Sequence, residues 1–455
     1  MKAQTHSRHV RVFFAIAVFT FILTNRAWGV NYTAIDLNPS GFFNNSCAYG
    51  TSGTQQVGWG FGSASGYYEH ALLWSGSADS YVDLNPSGFD WSYAYWTDGT
   101  QQVGYGSGSA TGYYGHALLW SGSADSYIDL NPSGFDSSEA WAASGTQQVG
   151  YGSGSATGYF WHALFWSGSA DSYIDLNPSG FYQSVASGTN GTQQVGYGYG
   201  SATVGQTHAL LWNGSAESCI DLNPSGFDYS DVFGSSGTQQ VGSGYGAATG
   251  GNLHALLWNG TVASCVDLNP SGFDWSYAYW TNGTQQVGGG IGSATDGYQH
   301  ALLWNGTAAS YIDLHQFLPI EFLQSGALSI DGYGNIVGYA TDSSGYQHAF
   351  LWQPIPETDP IQEILDFIEE SVSDGTLVPV RTGPSGKGQL GALVNMIEAA
   401  GKLIKDKDIK GACGQLHAAL GKTDGKGQPP DFVKGEASVE LAQMIQELMA
   451  SLGCR

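Results

Sequence analysis

His116 to Gly134 reads His-Ala-Leu-Leu-Trp-Ser-Gly-Ser-Ala-Asp-Ser-Tyr-Ile-Asp-Leu-Asn-Pro-Ser-Gly, and its two phrases recur together along most of the 455-residue chain. His-Ala-Leu-Leu-Trp or a close variant begins at His70, His116, His162, His208, His254, His300 and His348. Asp-Leu-Asn-Pro-Ser-Gly begins at Asp36, Asp83, Asp129, Asp175, Asp221 and Asp267, with a degenerate copy, Asp-Leu-His, at Asp313. Most steps are 46 residues, as from His116 to His162. A period of this length, filled with short apolar runs and Gly-rich turns, marks a β-propeller in which each repeat supplies one four-stranded sheet.

Within one unit the strands are His116–Trp120, Tyr127–Leu130, Glu139–Ala143 and Gln147–Tyr151, each a short apolar or alternating run bounded by turn residues. Asn131-Pro-Ser-Gly134 suits a type I turn, with Asn first, Pro second and Gly last. The array starts in the Asp-Leu-Asn-Pro part of a unit and stops in the His-Ala-Phe-Leu-Trp part, so each end holds what the other lacks. The expected fold is therefore mainly β, a seven-bladed β-propeller over residues 30–354, closed by pairing the strand near Ile35 with that near Trp352. Closure hides two strand edges that would otherwise template aggregation.

Residues 1–29 read as a secretory signal peptide: Lys2, Arg8 and Arg11 precede an apolar core from Val12 to Leu23, then the small-x-small site Ala27-Trp-Gly29. That places the mature protein outside the cell. The chain carries a formal charge of −24, and from Val30 to Pro354 there is no Lys or Arg against 23 Asp and Glu. Nucleic acid and anionic lipid are thus disfavoured partners, since both are held by cationic side chains, and no segment is apolar for long enough to insert in a bilayer. Neutral glycans, cations and protein partners remain.

After Pro354 the composition changes: Lys returns and Trp and Tyr vanish. Asp359-Pro360 caps a helix with Ile361, Ile364, Leu365, Ile368 and Val372 on one face. Further stripes run through Leu390, Leu393, Val394, Ile397, Leu403 and Ile404, through Ile409, Ala412, Leu416 and Leu420, and through Leu441, Ile445, Leu448 and Leu452. Residues 355–455 are expected to form a small all-α helical bundle. Cys413 and Cys454 both lie there and are the preferred disulfide pair; Cys219 and Cys265 stand at equivalent places in neighbouring repeats, and Cys47 is left over.

The seventh unit carries Ala327-Leu-Ser-Ile330, Gly334-Asn-Ile-Val-Gly338 and His348-Ala-Phe-Leu-Trp352. In these phrases the chain resembles the HAF-repeat family of secreted bacterial proteins, over about residues 31–354. The resemblance implies an extracellular repeat protein and brings no catalytic residues with it.

Three constellations could carry chemistry. The seven repeated His sit at equivalent places in different blades, which diverge around an axis, so a hydrogen bond to a neighbouring strand or loop is expected in preference to a shared metal. Asp36 and Asn38, Asp83 and Asn85, Asp129 and Asn131, Asp175 and Asn177, Asp221 and Asn223, and Asp267 and Asn269 have the spacing at which a calcium loop collects oxygen, although no Glu closes the loop and Pro stiffens it. Calcium is the one cofactor this pattern suggests. The third is the stretch that varies on a fixed frame, Asp90-Trp-Ser-Tyr-Ala-Tyr-Trp96 and its copies; its Trp91, Tyr93, Trp96, Trp141, Trp275, Tyr277 and Trp280 suit stacking on sugar rings, or else fill gaps between blades. Enzymatic motifs are lacking, but the non-repeated acids Glu69, Glu139, Glu217, Asp231 and Glu321 leave a glycosidase or lyase open. The reading is a secreted, non-catalytic binding or scaffold protein recognising an extracellular glycan or protein. A purely structural or adhesive repeat protein is the alternative.

Overall fold

The computed structural model describes residues 31–355, 359–423, 425 and 430–454; the predicted signal peptide lies outside the described residues. Seven four-stranded antiparallel sheets form a β-propeller, and four helices follow. Each blade begins with the variable stretch. In blade 2 the inner strand is Trp91–Thr97, followed by Gln102–Ser107, His116–Trp120 and a two-residue outer strand, Ile128–Asp129. The outer strand is shorter than the run expected at Tyr127–Leu130, which leaves little unpaired edge.

Blade 7 is built from both ends of the array. Its inner three strands are Phe322–Ile330, Ile336–Asp342 and Gln347–Pro354, and its outer strand is Tyr32–Asp36, with Ala34 opposite Trp352 and Ile35 opposite Leu351.

The repeated phrases explain the seams between blades. The seven repeated Trp of the third strands are fully buried. Trp120 of blade 2 packs in one cluster with Val57, Leu73 and Leu84 from blade 1 and the turn that follows it, and Trp258 Nε1 donates to the Leu222 carbonyl at 3.0 Å. A polar clamp accompanies each seam. Ser92 of the blade 2 inner strand donates to Asn85 Oδ1 at 2.7 Å and accepts the Ala71 N–H of blade 1 at 3.1 Å. The same Ser-to-Ala bond recurs at every junction, including Ser46 to Ala349 across the closure. The degenerate copy keeps the device: where the other units have Asn, His315 Nδ1 meets Ser325 Oγ at 3.0 Å.

This network gives the repeated Asp and Asn a role in the fold. Asp83 Oδ1 accepts the Asn85 N–H at 2.8 Å, Asp83 Oδ2 takes His70 Nδ1 at 2.7 Å, and Asn85 Oδ1 is held by Ser92. The Asp and Asn at positions 36 and 38, 129 and 131, 175 and 177, 221 and 223, and 267 and 269 repeat the pattern. Their oxygens close a turn and brace a His; among the described residues no group of three or more His, Cys, Asp or Glu could hold a metal ion.

The C-terminal unit holds α1 (Pro360–Ser373), α2 (Pro384–Lys405), α3 (Ile409–Leu420) and α4 (Ala437–Ser451) around Ile364, Ile368, Leu393, Ile397, Leu416, Leu441 and Ile445. Asp359 caps α1 by accepting the Ile361 N–H at 3.0 Å. A two-stranded ladder, Val378–Pro379 with Val433–Lys434, was not legible in the helical stripes. Cys413 and Cys454 are joined, whereas Cys47, Cys219 and Cys265 are free thiols. Among the described residues no helix is long and apolar enough to cross a membrane.

Candidate functional site

The inner strands ring the propeller axis, each beside the next, with that of blade 7 beside that of blade 1 (Asn45–Ser52). In every one of them the ladder with the second strand slips by one residue. In blade 2 Ala94 pairs with Gly104 and Trp96 with Val103, leaving Tyr95 as the extra residue of a β-bulge. The bulge residues of blades 1 to 7 are Tyr49, Tyr95, Trp141, Ser187, Phe233, Tyr279 and Leu328. A bulge re-aims a side chain away from the regular pleat. These seven, with Trp96 and Trp280, line one axial cavity of about 300 Å³.

Glycine on the second strand permits the slip. A Cβ on Gly150 would lie 1.8 Å from the Glu139 carbonyl oxygen, and the equivalent glycines of the other blades are as tight, so only Gly lets the two strands approach here.

One residue beyond each bulge the side chain is small in five blades: Gly50, Ala142, Gly188, Gly234 and Ser329. Blades 2 and 6 have Trp96 and Trp280 instead, and their rings meet with centroids 4.0 Å apart at 35°. The small neighbours make the room. A Cβ on Gly234 would lie 2.7 Å from Trp280 Cε3, and one on Gly50 2.9 Å from the Trp96 Cα. The same two indoles also line a second axial cavity of about 310 Å³, whose other walls are mostly Ser, Thr, Asn and Asp at the hairpins that follow, among them Thr51, Asp98, Asn190, Ser236, Asn282 and Asp331. The indole pair therefore stands between an aromatic chamber and a polar one.

Two carboxyls lie two residues before the bulge, in blades 3 and 5. Glu139 Oε2 accepts Trp141 Nε1–H at 2.9 Å, which fixes the indole in the chamber wall, and burial raises the Glu139 pKa against the pull of its hydrogen bonds from Tyr151 and Trp141. Asp231 is fully enclosed: it accepts from Tyr229 Oη at 2.7 Å and from the Ser243 N–H and Oγ at 2.9 and 2.7 Å, and burial raises its pKa too. Burial likewise pushes the Tyr105, Tyr197 and Tyr279 phenols up to about 12, so at neutral pH they remain uncharged.

Of the seven aromatic residues singled out from the sequence, Trp96, Trp141 and Trp280 line the aromatic chamber. The other four do not, and are instead packed ring on ring. Trp91 and Tyr93 lie against Tyr105 at 5.1 and 5.5 Å, and Trp275 stacks on Tyr277, itself hydrogen-bonded to Tyr339 of blade 7. Sequence reading missed Tyr49, Tyr95, Phe233 and Tyr279. Their signal is a shared offset, three residues before the Ser or Asp/Asn that opens the hairpin turn. Alternation alone does not show that this offset reaches the axis.

No protein-family model and no curated protein matches the chain. Solved structures do. The β-propeller domain of the trilobed protease from Pyrococcus furiosus is 8% identical, with 68% of this chain and 95% of that one covered and a TM-score of 0.44. A puromycin hydrolase S511A mutant is 10% identical, covering 69% and 56%, with a TM-score of 0.41. A Trypanosoma rangeli sialidase in complex with the inhibitor DANA is 10% identical, with 78% of this chain and 63% of that one covered and a TM-score of 0.33. No site residue carries over at such identities.

Proposed function

We propose that the propeller is a secreted, non-catalytic binding module whose aromatic chamber takes a single unit or chain end of an uncharged extracellular glycan. One observation carries this reading: seven bulges send seven side chains, five of them aromatic, into one axial cavity, while the strands that frame this variable stretch repeat almost unchanged. A volume of about 300 Å³ is at the small end of ligand sites. Aromatic faces stack on the apolar faces of a sugar ring, neutral phenols meet its hydroxyls, and residues 30–354 carry no Lys or Arg to pair with an anionic ligand.

The test is isothermal calorimetry of the full chain against neutral mono- and oligosaccharides selected on a glycan array. Trp141→Ala should weaken the best ligand by about tenfold or more, ~1.4 kcal/mol, as for a buried aromatic anchor. No binding by the parent chain, or equal binding by the variant, rejects the reading.

A glycosidase is the second reading, favoured by the two buried carboxyls with raised pKa. Asp231 has its oxygens engaged by Tyr229 and Ser243, and Glu139 is engaged with Trp141, which supports positioning roles. Release of reducing sugar from a neutral glycan, abolished in Glu139→Gln, would support the enzyme instead.

A further inference from the structure

The loops joining the second and third strands carry a feature that the fold does not require. In blades 4, 5 and 6 the loop turns through Gly205, Gly251 and Gly297, with φ of 79, 86 and 79°. In blades 1, 2 and 3 the same place is held by Tyr67, Tyr113 and Tyr159, with φ of 66, 67 and 67°. Left-handed backbone favours glycine, and a large side chain there is strained. The turn itself is the same with either residue. Tyr67, Tyr113 and Tyr159 donate their N–H to Gly62, Gly108 and Gly154 at 2.8 to 2.9 Å, as Gly205 and Gly251 do to Gly200 and Gly246 at 2.8 Å.

Packing does not account for them either. The three tyrosines are 60, 70 and 69% exposed, and the residues after them, Tyr68, Tyr114 and Phe160, are also exposed. Tyr67 leans edge-on against Phe61. Three adjacent blades thus each present an aromatic pair, whereas blades 4 and 5 present Gly205-Gln206 and Gly251-Asn252 at the same places. Left-handed non-glycine residues occur in the loops of blades 4 and 6 as well, at Val204 and Asp296, but the exposed aromatic pairs of blades 1 to 3 fill no core, and such a repeated patch points to a contact made outside the chain.

We propose that these loops form a second binding surface, apart from the axial chamber, for an uncharged polysaccharide chain laid across blades 1 to 3. Repetition from blade to blade suits a ligand that repeats. The contact needs no cation, and the propeller supplies none. Paired aromatic rings with phenol hydroxyls at their tips match the alternating apolar faces and hydroxyls of successive sugar units.

The decisive variant is Y67G/Y113G/Y159G in the full chain, because it installs the residue that the other blades already use. Co-sedimentation with insoluble cellulose, starch and chitin, and affinity electrophoresis in xylan, β-glucan and galactomannan, read the binding. The parent should be retained by at least one neutral polysaccharide. The variant should lose that retention by about tenfold or more, with a melting temperature equal to or above that of the parent, since strain is removed. Phe233→Ala, which alters the chamber from blade 5, away from these loops, should keep it. The proposal is overturned if the parent binds none of these polysaccharides, if the variant binds as the parent does, or if the variant melts lower, which would make the tyrosines structural. Retention of polysaccharide binding together with loss of a protein partner in cross-linking would overturn it in favour of a protein surface.

Discussion

The Trp96–Trp280 pair allows a quantitative test of how the axis is built. Trp280 is 8% exposed, and its ring lies 4.0 Å from that of Trp96, centroid to centroid. Replacing a buried Trp by Ala costs about 3 to 5 kcal/mol. Because both indoles border cavities that can admit water, each single change should fall near the lower end, at ~3 kcal/mol. An aromatic pair contributes about 0.5 to 1.5 kcal/mol beyond the area it buries. Once one indole is gone the second change loses only its own packing, so Trp96→Ala with Trp280→Ala should cost less than the two single changes together by that amount. The assay is equilibrium unfolding in guanidinium chloride for the four members of the cycle, alongside near- and far-ultraviolet circular dichroism. The parent should show the exciton couplet of two close indoles, and both single variants should lose it. Additive energies, or a couplet that survives in either single variant, would refute the stacked arrangement and with it the division of the axis into two chambers.

The remaining predictions concern the ends of the fold. Cys413 and Cys454 close a loop with a sequence separation of 41, for which chain entropy gives about 4 kcal/mol at 25 °C. Reductant should therefore lower the calorimetric transition of the helical unit by on the order of 20 °C. The propeller transition should stay in place, since Cys47, Cys219 and Cys265 are unbridged. At the closure, the hydrogen bond that His348 donates to Asp36 raises the His348 pKa above its ordinary value against partial burial. Folding thus favours the protonated ring: its contribution is complete below the unfolded pKa and is lost as pH rises through the raised folded value. The propeller melting temperature should fall as pH rises above the ordinary histidine value of about 6.5, and Asp36→Asn should flatten that slope; an unchanged slope would show that the pair does not contribute.

Much of this was legible beforehand because it is local or periodic. The four strands of each unit and the amphipathic helices follow from which side chains must be hidden. The offset between Tyr32–Asp36 and Gln347–Pro354 required ring closure because both halves would otherwise be exposed edges. The calcium spacing was ambiguous because the same Asp and Asn oxygens also suit a turn. Their choice between a cation and the donors of His70, Asn85 and Ser92 depends on groups brought in from a neighbouring strand and blade.

The repeat by itself determined the number of blades, their order and the partner of each end, since those follow from a period and from burying apolar faces. Only the tertiary structure decided which residues meet at the axis. A one-residue slip leaves the run of residues along a strand unchanged, and arises from how closely Gly150 and its counterparts let two backbones approach. Likewise Tyr113 and Gly251 align in any reading of the repeat, but that they share a left-handed conformation, costly for one and free for the other, is a property of the folded backbone.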